Sequence, residues 1–181
     1  MSRATLISGI VAFACAHNAV SFIPLPHTPI SVRTPDGFVH SPWISTDSPA
    51  IFFSPPKGPH GGTPGYPQLS VSQINPIREP ASMSSYAAKL QDNQDAKVFL
   101  GPLPATVLGR PAIEIATEWT TIYDFADGTA ASGQTTRHEI IFQLLGRFYI
   151  CELEAYPEIH SKWVSSLHEL CSGLELAGAS Q

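Results

Sequence analysis

Thirteen of the seventeen prolines fall between Pro24 and Pro80, and that distribution sets the first limit on the fold. Proline lacks a backbone N–H and has a fixed φ, so it breaks helix interiors and is kept out of central strands. The front half is therefore expected to hold short strands and turns, with long regular elements confined to the back half. At 181 residues the chain suffices for one domain with a substantial core. Its formal net charge is −5 and its ten Lys and Arg are scattered. Neutralising a phosphate backbone needs such residues gathered on one face, so nucleic acid is excluded as a partner.

Arg3 is the only Lys, Arg, Asp or Glu before Arg33, and Ala4 to Ala16 is continuously apolar or small. Crossing a bilayer takes roughly 20 apolar residues, so no integral span is expected. One cation, a short apolar run and small-residue sites at Ala12-Phe13-Ala14, Ala14-Cys15-Ala16 or His17-Asn18-Ala19 match a secretory signal. The plainer alternative, a buried N-terminal helix or strand, has neither caps nor amphipathic period to support it. Residues 1–19 are thus expected to form an export leader, 20–29 a proline-rich lead-in and 30–176 a single α/β domain, in a periplasmic or secreted protein. Cleavage after Ala16 or Ala19 removes Cys15 and leaves Cys151 and Cys171, a pair that an oxidising compartment can join as a disulfide. Two alternatives stay open: Cys15 retained as an acylated lipid anchor, and the other two as buried, unpaired thiols.

Along the domain, Ile30-Ser31-Val32 stops at the turn Thr34-Pro35-Asp36-Gly37, and strands are expected at Phe38–Ile44, Ala50–Phe53 and Gln68–Ile74. Pro55 to Pro67 is a surface loop made almost wholly of breakers. Met83, Tyr86, Ala87 and Leu90 make a narrow helical stripe within Ala81–Gln94, with Ser82 or Ser84 as cap. Lys97–Gly109 is loosely apolar and cut by two prolines. From Ala112 to Tyr123, Ile113, Ile115, Thr117, Trp119 and Tyr123 alternate with Glu114, Ala116, Glu118 and Thr120, the strongest strand signal in the chain. Asp127-Gly128 and Ser132-Gly133 mark the turn region after it. His138–Leu145 and Arg147–Tyr156 form a tight hairpin about Gly146. The last element is an amphipathic helix from Glu158 to Leu174, with Pro157 at its start and Gly173 near its stop. The fold class is α+β, an antiparallel sheet with packed helices.

Leu108-Gly109-Arg110-Pro111-Ala112, Gly146-Arg147-Phe148-Tyr149-Ile150 and the closing helix, behind an opening Thr34-Pro35-Asp36-Gly37-Phe38, resemble the family that includes the photosystem accessory protein PsbP and the bacterial lipoprotein DcrB. The resemblance spans roughly Ile30 to Leu174 in layout. It implies an α/β/α sandwich and an accessory, chaperone-like or assembly role without catalytic residues. It brings no active-site residue with it, and the Pro55–Pro67 loop departs from the pattern.

Four arrangements approach a chemistry. His168-Glu169-Leu170-Cys171-Ser172 opens like a zinc-protease helix, but Ser172 stands where the second His belongs. Pro59-His60-Gly61-Gly62 is like an esterase oxyanion turn without the Gly-x-Ser-x-Gly elbow. The seven histidines lack zinc spacing and no CxxC accompanies them, so neither a metal nor another cofactor is expected. Cys151, inside a strand, reads as a structural thiol rather than a nucleophile. The fourth is a set of carboxylates: Glu114 and Glu118 share one strand face, and Glu152 and Glu154 share another. If those faces agree, the four would form a patch for a basic partner or a hard cation; the plainer reading is a solvated sheet face. Lys57, His60 and Tyr66, on the proline-rich loop, complete the candidate partner-binding residues. The expectation is an exported, non-catalytic accessory or immunity-like protein that binds another protein. A cytoplasmic chaperone-like adaptor and a small hydrolase using His60, His138 and the Glu cluster are the alternatives.

Overall fold

The computed structural model describes residues 22–41, 48–56, 67–124 and 130–177. The expected leader with Cys15, the loop residues Lys57, His60 and Tyr66, and the expected turn at Asp127-Gly128 lie outside the described residues. A seven-stranded sheet, antiparallel throughout, has the order β3-β4-β5-β9-β8-β7-β6. Its strands are β3 (Val39–His40), β4 (Ala50–Ser54), β5 (Gln68–Gln73), β6 (Ala96–Val107), β7 (Arg110–Asp124), β8 (Ala130–Leu144) and β9 (Arg147–Ala155). Short strands β1 (Phe22–Pro24), β2 (Ile30–Arg33) and β10 (Leu174–Leu176) make a second antiparallel sheet. Helix α1 (Met83–Gln91) covers one face of the large sheet through Tyr86, Ala87 and Leu90 against Ile115, Val98 and Trp119. On the opposite face α3 (Val164–Ser172) and the small sheet bury Leu167, Leu170, Val32 and Leu174 against Phe53, Leu69, Phe142 and Leu153. The result is an α+β protein built as an α/β/α sandwich.

Turn chemistry explains the long meander. Leu108-Gly109 and Leu145-Gly146 all have positive φ, the backbone that a two-residue hairpin needs to match strand twist. Ser82 caps α1 by accepting from the Ser85 N–H at 3.0 Å, while the Ser85 hydroxyl accepts from the Ser82 N–H at 2.9 Å. The hairpin about Gly146 and the Ser82 cap are where the sequence places them.

Four expectations change. Lys97–Gly109 is not an irregular connection: most of it is β6, the edge strand, where Pro102 and Pro104 are tolerated because one side of the strand has no ladder to fill. Ser132-Gly133 is no turn but part of β8, paired with Ile122 and Thr121. The closing helix is divided, with α2 (Pro157–His160) and α3 separated at 161–163, and Leu174 begins β10 opposite Val32 because the chain there finds an open strand edge. Finally, Phe22–Pro24 pairs with β2 and Leu25 is buried, so the packed domain reaches into the proline-rich lead-in.

Candidate functional site

Strand parity decides which side chains meet. Glu114 faces Ile140, and Ile140 faces Cys151, so Glu114 and Glu118 lie on the face that α2 and α3 cover. Glu152 faces Glu139, which faces Ile115, so Glu152 and Glu154 lie on the α1 face. The condition for a four-carboxylate patch is therefore not met. With β8 interposed between β7 and β9, the register sends the two pairs to opposite sides of the sheet. Glu118 is 3.8 Å from Lys97 Nζ, and Glu154 is 3.4 Å from Arg137 Nε.

The α3 face brings together three histidines far apart in sequence. His138 on β8 is only 1% exposed, and its Nε2 lies 2.7 Å from Glu114 Oε1. His168, exposed on α3, places its Nε2 2.9 Å from the same oxygen. His138 Nδ1 lies 3.1 Å from Nε2 of the buried His160, the last residue of α2. Phe99 on β6 stands edge-on to His160 with ring centroids 5.7 Å apart. A carboxylate can only accept, so His138 and His168 each donate an Nε2 proton to Glu114. His138 Nδ1 is then the acceptor for the Nε2 proton of His160. A directed chain runs from α2 through β8 to β7.

Charge states follow from the same contacts. Burial raises the Glu114 carboxyl, but hydrogen bonds from His168 and His138 outweigh it and hold it below the usual carboxylate value. Burial pushes His138 down against the opposing pull of Glu114. His160 is pushed down by burial and by the neighbouring His138. One oxygen sits between two imidazoles, and no group of three His, Cys, Asp or Glu among the described residues is arranged to hold a metal ion. Spacing could not reveal this cluster. The available signal was an imidazole at the inward parity of β8, in line with Ile140, Phe142 and Leu144.

The α1 face holds a second polar cluster. Glu139, 5% exposed, accepts from the Tyr86 hydroxyl at 2.8 Å. Glu152 lies directly across the strand pair from it. Burial and the neighbouring Glu139 push the Glu152 carboxyl up to about 8, against the pull of Arg137. Burial raises Glu139 as well, with Tyr86 and Arg137 opposing. Burial lowers Arg137, but Glu152, Glu154 and Glu139 more than reverse it. Tyr86 of α1 covers Glu139, while Glu152 is half-buried on the same face, on the opposite side of the sheet from Glu114 and Glu118.

Cys151 and Cys171 are both free, buried thiols on the α3 face. The Cys171 thiol is hydrogen-bonded to Cys151 and raised well above its ordinary value by burial and by that contact. Both lie in the main core cluster, with no disulfide between them.

No protein-family model and no characterised sequence matches the chain. Solved structures do. A Pseudomonas aeruginosa protein of unknown function, PA94, aligns at 12% identity and a TM-score of 0.49, over 83% of this chain and 92% of that one. LpqN, involved in cell envelope biogenesis of Mycobacterium tuberculosis, aligns at 11% identity and a TM-score of 0.43, over 90% and 87%. Cyanobacterial PsbP (CyanoP) of Synechocystis sp. PCC 6803 aligns at 9% identity and a TM-score of 0.45, over 87% and 92%. The last carries the name of the family that the sequence resembles in layout.

Proposed function

We propose that this chain is an exported, non-catalytic accessory protein that binds another protein through the face around β6 and α3. The observation that carries the reading is the rim of the histidine cluster. Phe99 and Leu103 are 46% and 44% exposed on the edge strand, Phe99 against His160 and Leu103 across from Glu114, whose carboxylate also meets the exposed His168. Half-exposed apolar side chains around hydrogen-bonding groups make the mixed surface that protein partners use. Prolines 102 and 104 and the register shifts in β6 oppose strand addition, so a partner is held by side chains rather than by an extended ladder. The leader supports export, since its small-residue sites end just ahead of Phe22, the first residue of β1. Among the described residues no helix is long and apolar enough to cross a membrane.

The test combines two measurements on protein from its own cells. Intact mass is expected to place the mature N-terminus at residue 17 or 20, or at an acylated Cys15, and it also shows whether Cys151 and Cys171 have lost their thiol hydrogens. A photo-reactive side chain at position 99 is expected to form one dominant protein adduct, and the same group on the exposed face of α1 none. A mature chain starting at Met1 in the cytosol would instead favour the adaptor reading. Adducts equally frequent at both positions would sink the proposed surface.

A further inference from the structure

The contact between His138 and His160 has an unusual dependence on protons. It joins two ring nitrogens 3.1 Å apart, so one of them must lack a proton for a hydrogen bond to exist. A first added proton is accommodated: an imidazolium at either ring still donates to a neutral partner, and ionised Glu114 lies 2.7 Å from His138. A second is not. With both rings protonated, N–H faces N–H and two like charges share a buried site.

That contact matters because α2 has little else of its own. It is a single turn, Pro157–His160, without a side-chain cap at Tyr156, and a helix so short does not persist unaided. Ile159 packs against the core in part, and His160 is its buried polar pin. We propose that the His138–His160 pair is an acid-sensitive latch: double protonation releases α2 from the sheet and frees Phe99 of the ring it stands against. The titratable groups facing the pair are Glu114 from β7 and His168 from α3, with the Cys171 thiol of α3 next to Glu114. Phe99 faces it from β6, and β9 presents Cys151, Leu153 and Ala155 on this side. Glu114 is the counter-charge for one imidazolium, and its oxygen is already shared with His168. The latch rests on this geometry alone, whatever docks at the rim.

Histidine ring NMR on the full chain, taken with amide exchange over residues 157–163, tests it between about pH 7.5 and about pH 4.5. His138 and His160 are expected to titrate as a coupled pair in two separated steps. Exchange in 157–163, corrected for its intrinsic pH dependence, should rise about tenfold or more at the second step while α1 stays protected. His160→Gln keeps a donor near the Nε2 position and cannot be protonated, so its 157–163 exchange should stay flat. Two histidines titrating independently, unchanged protection of 157–163, or the same acid response in His160→Gln would each overturn the latch. If His160→Gln fails to fold, the ring titration and exchange of the parent protein decide it.

Discussion

On the α3 face of the large sheet, imidazoles hold one carboxylate ionised; on the α1 face, along the same strands, two carboxylates oppose each other and Glu152 keeps its proton up to about pH 8. Both clusters hold buried titratable groups, yet they respond to pH in opposite senses. His138 and His160 have folded values below the ordinary 6.5. As pH falls the unfolded chain takes up those protons first, so their contribution is full above about 6.5 and is lost below it. Glu152 lies above its ordinary 4.5. Its contribution is full below about pH 4.5 and is lost as pH rises through about 8. The α3 face loses stability as pH falls below about 6.5, and the α1 face loses it as pH rises from about 4.5 to about 8.

The faces also differ in how much apolar surface stands behind the charge, and the largest expected effect lies there. Leu170 is fully buried in the main core, whereas Leu90 belongs to a small cluster under α1. Leu170→Ala should cost about 2–5 kcal/mol in urea unfolding, and Leu90→Ala less. Equal costs would break the asymmetry.

Gly101 ties β6 to the histidine site. Its φ is +82°, and an added Cβ would run into the Glu114 carbonyl oxygen. Gly101→Ala should destabilise by about 2–3 kcal/mol and shift the His168 ring resonances, because the backbone that carries Glu114 must move. A variant as stable as the parent would mean that β6 is not held so closely.

On the α1 face, Glu152→Gln removes the group that must stay neutral. It should raise stability by about 2–5 kcal/mol at pH 8 and above, change it little near pH 4, and flatten the decline between about pH 4.5 and about pH 8. The acid limb should persist, since it belongs to the other face. Loss of both limbs in this variant would show that the two clusters are not separate. The smallest effect is local to α1. Ser82→Ala removes its cap and should cost about 1 kcal/mol without moving either limb.

Much of the architecture was legible because it is locally encoded. Alternation from Ala112 to Tyr123 marks β7 and assigns its two faces, and Gly146 marks the hairpin because only such a residue takes that backbone cheaply. Leu167 and Leu170 declare their burial by helical period. β6 was obscured because prolines that would disqualify a central strand are acceptable at an edge, and edge position is not written in the strand itself.

The sequence by itself determined which residues share a face within each strand or helix, since that parity depends only on backbone geometry. It could not determine which faces of different strands agree, because that depends on pairing register and on what lies between them. Placing β8 between β7 and β9 separates Glu114 and Glu118 from Glu152 and Glu154. The same register sets His138 beside Glu114, and helix docking then adds His160 and His168, residues 22 and 54 positions from their respective partners. A one-residue slip would turn every side chain of a strand to its other face. Hydrophobic packing of the two layers forbids that slip, and so tertiary structure alone assembled the histidine cluster.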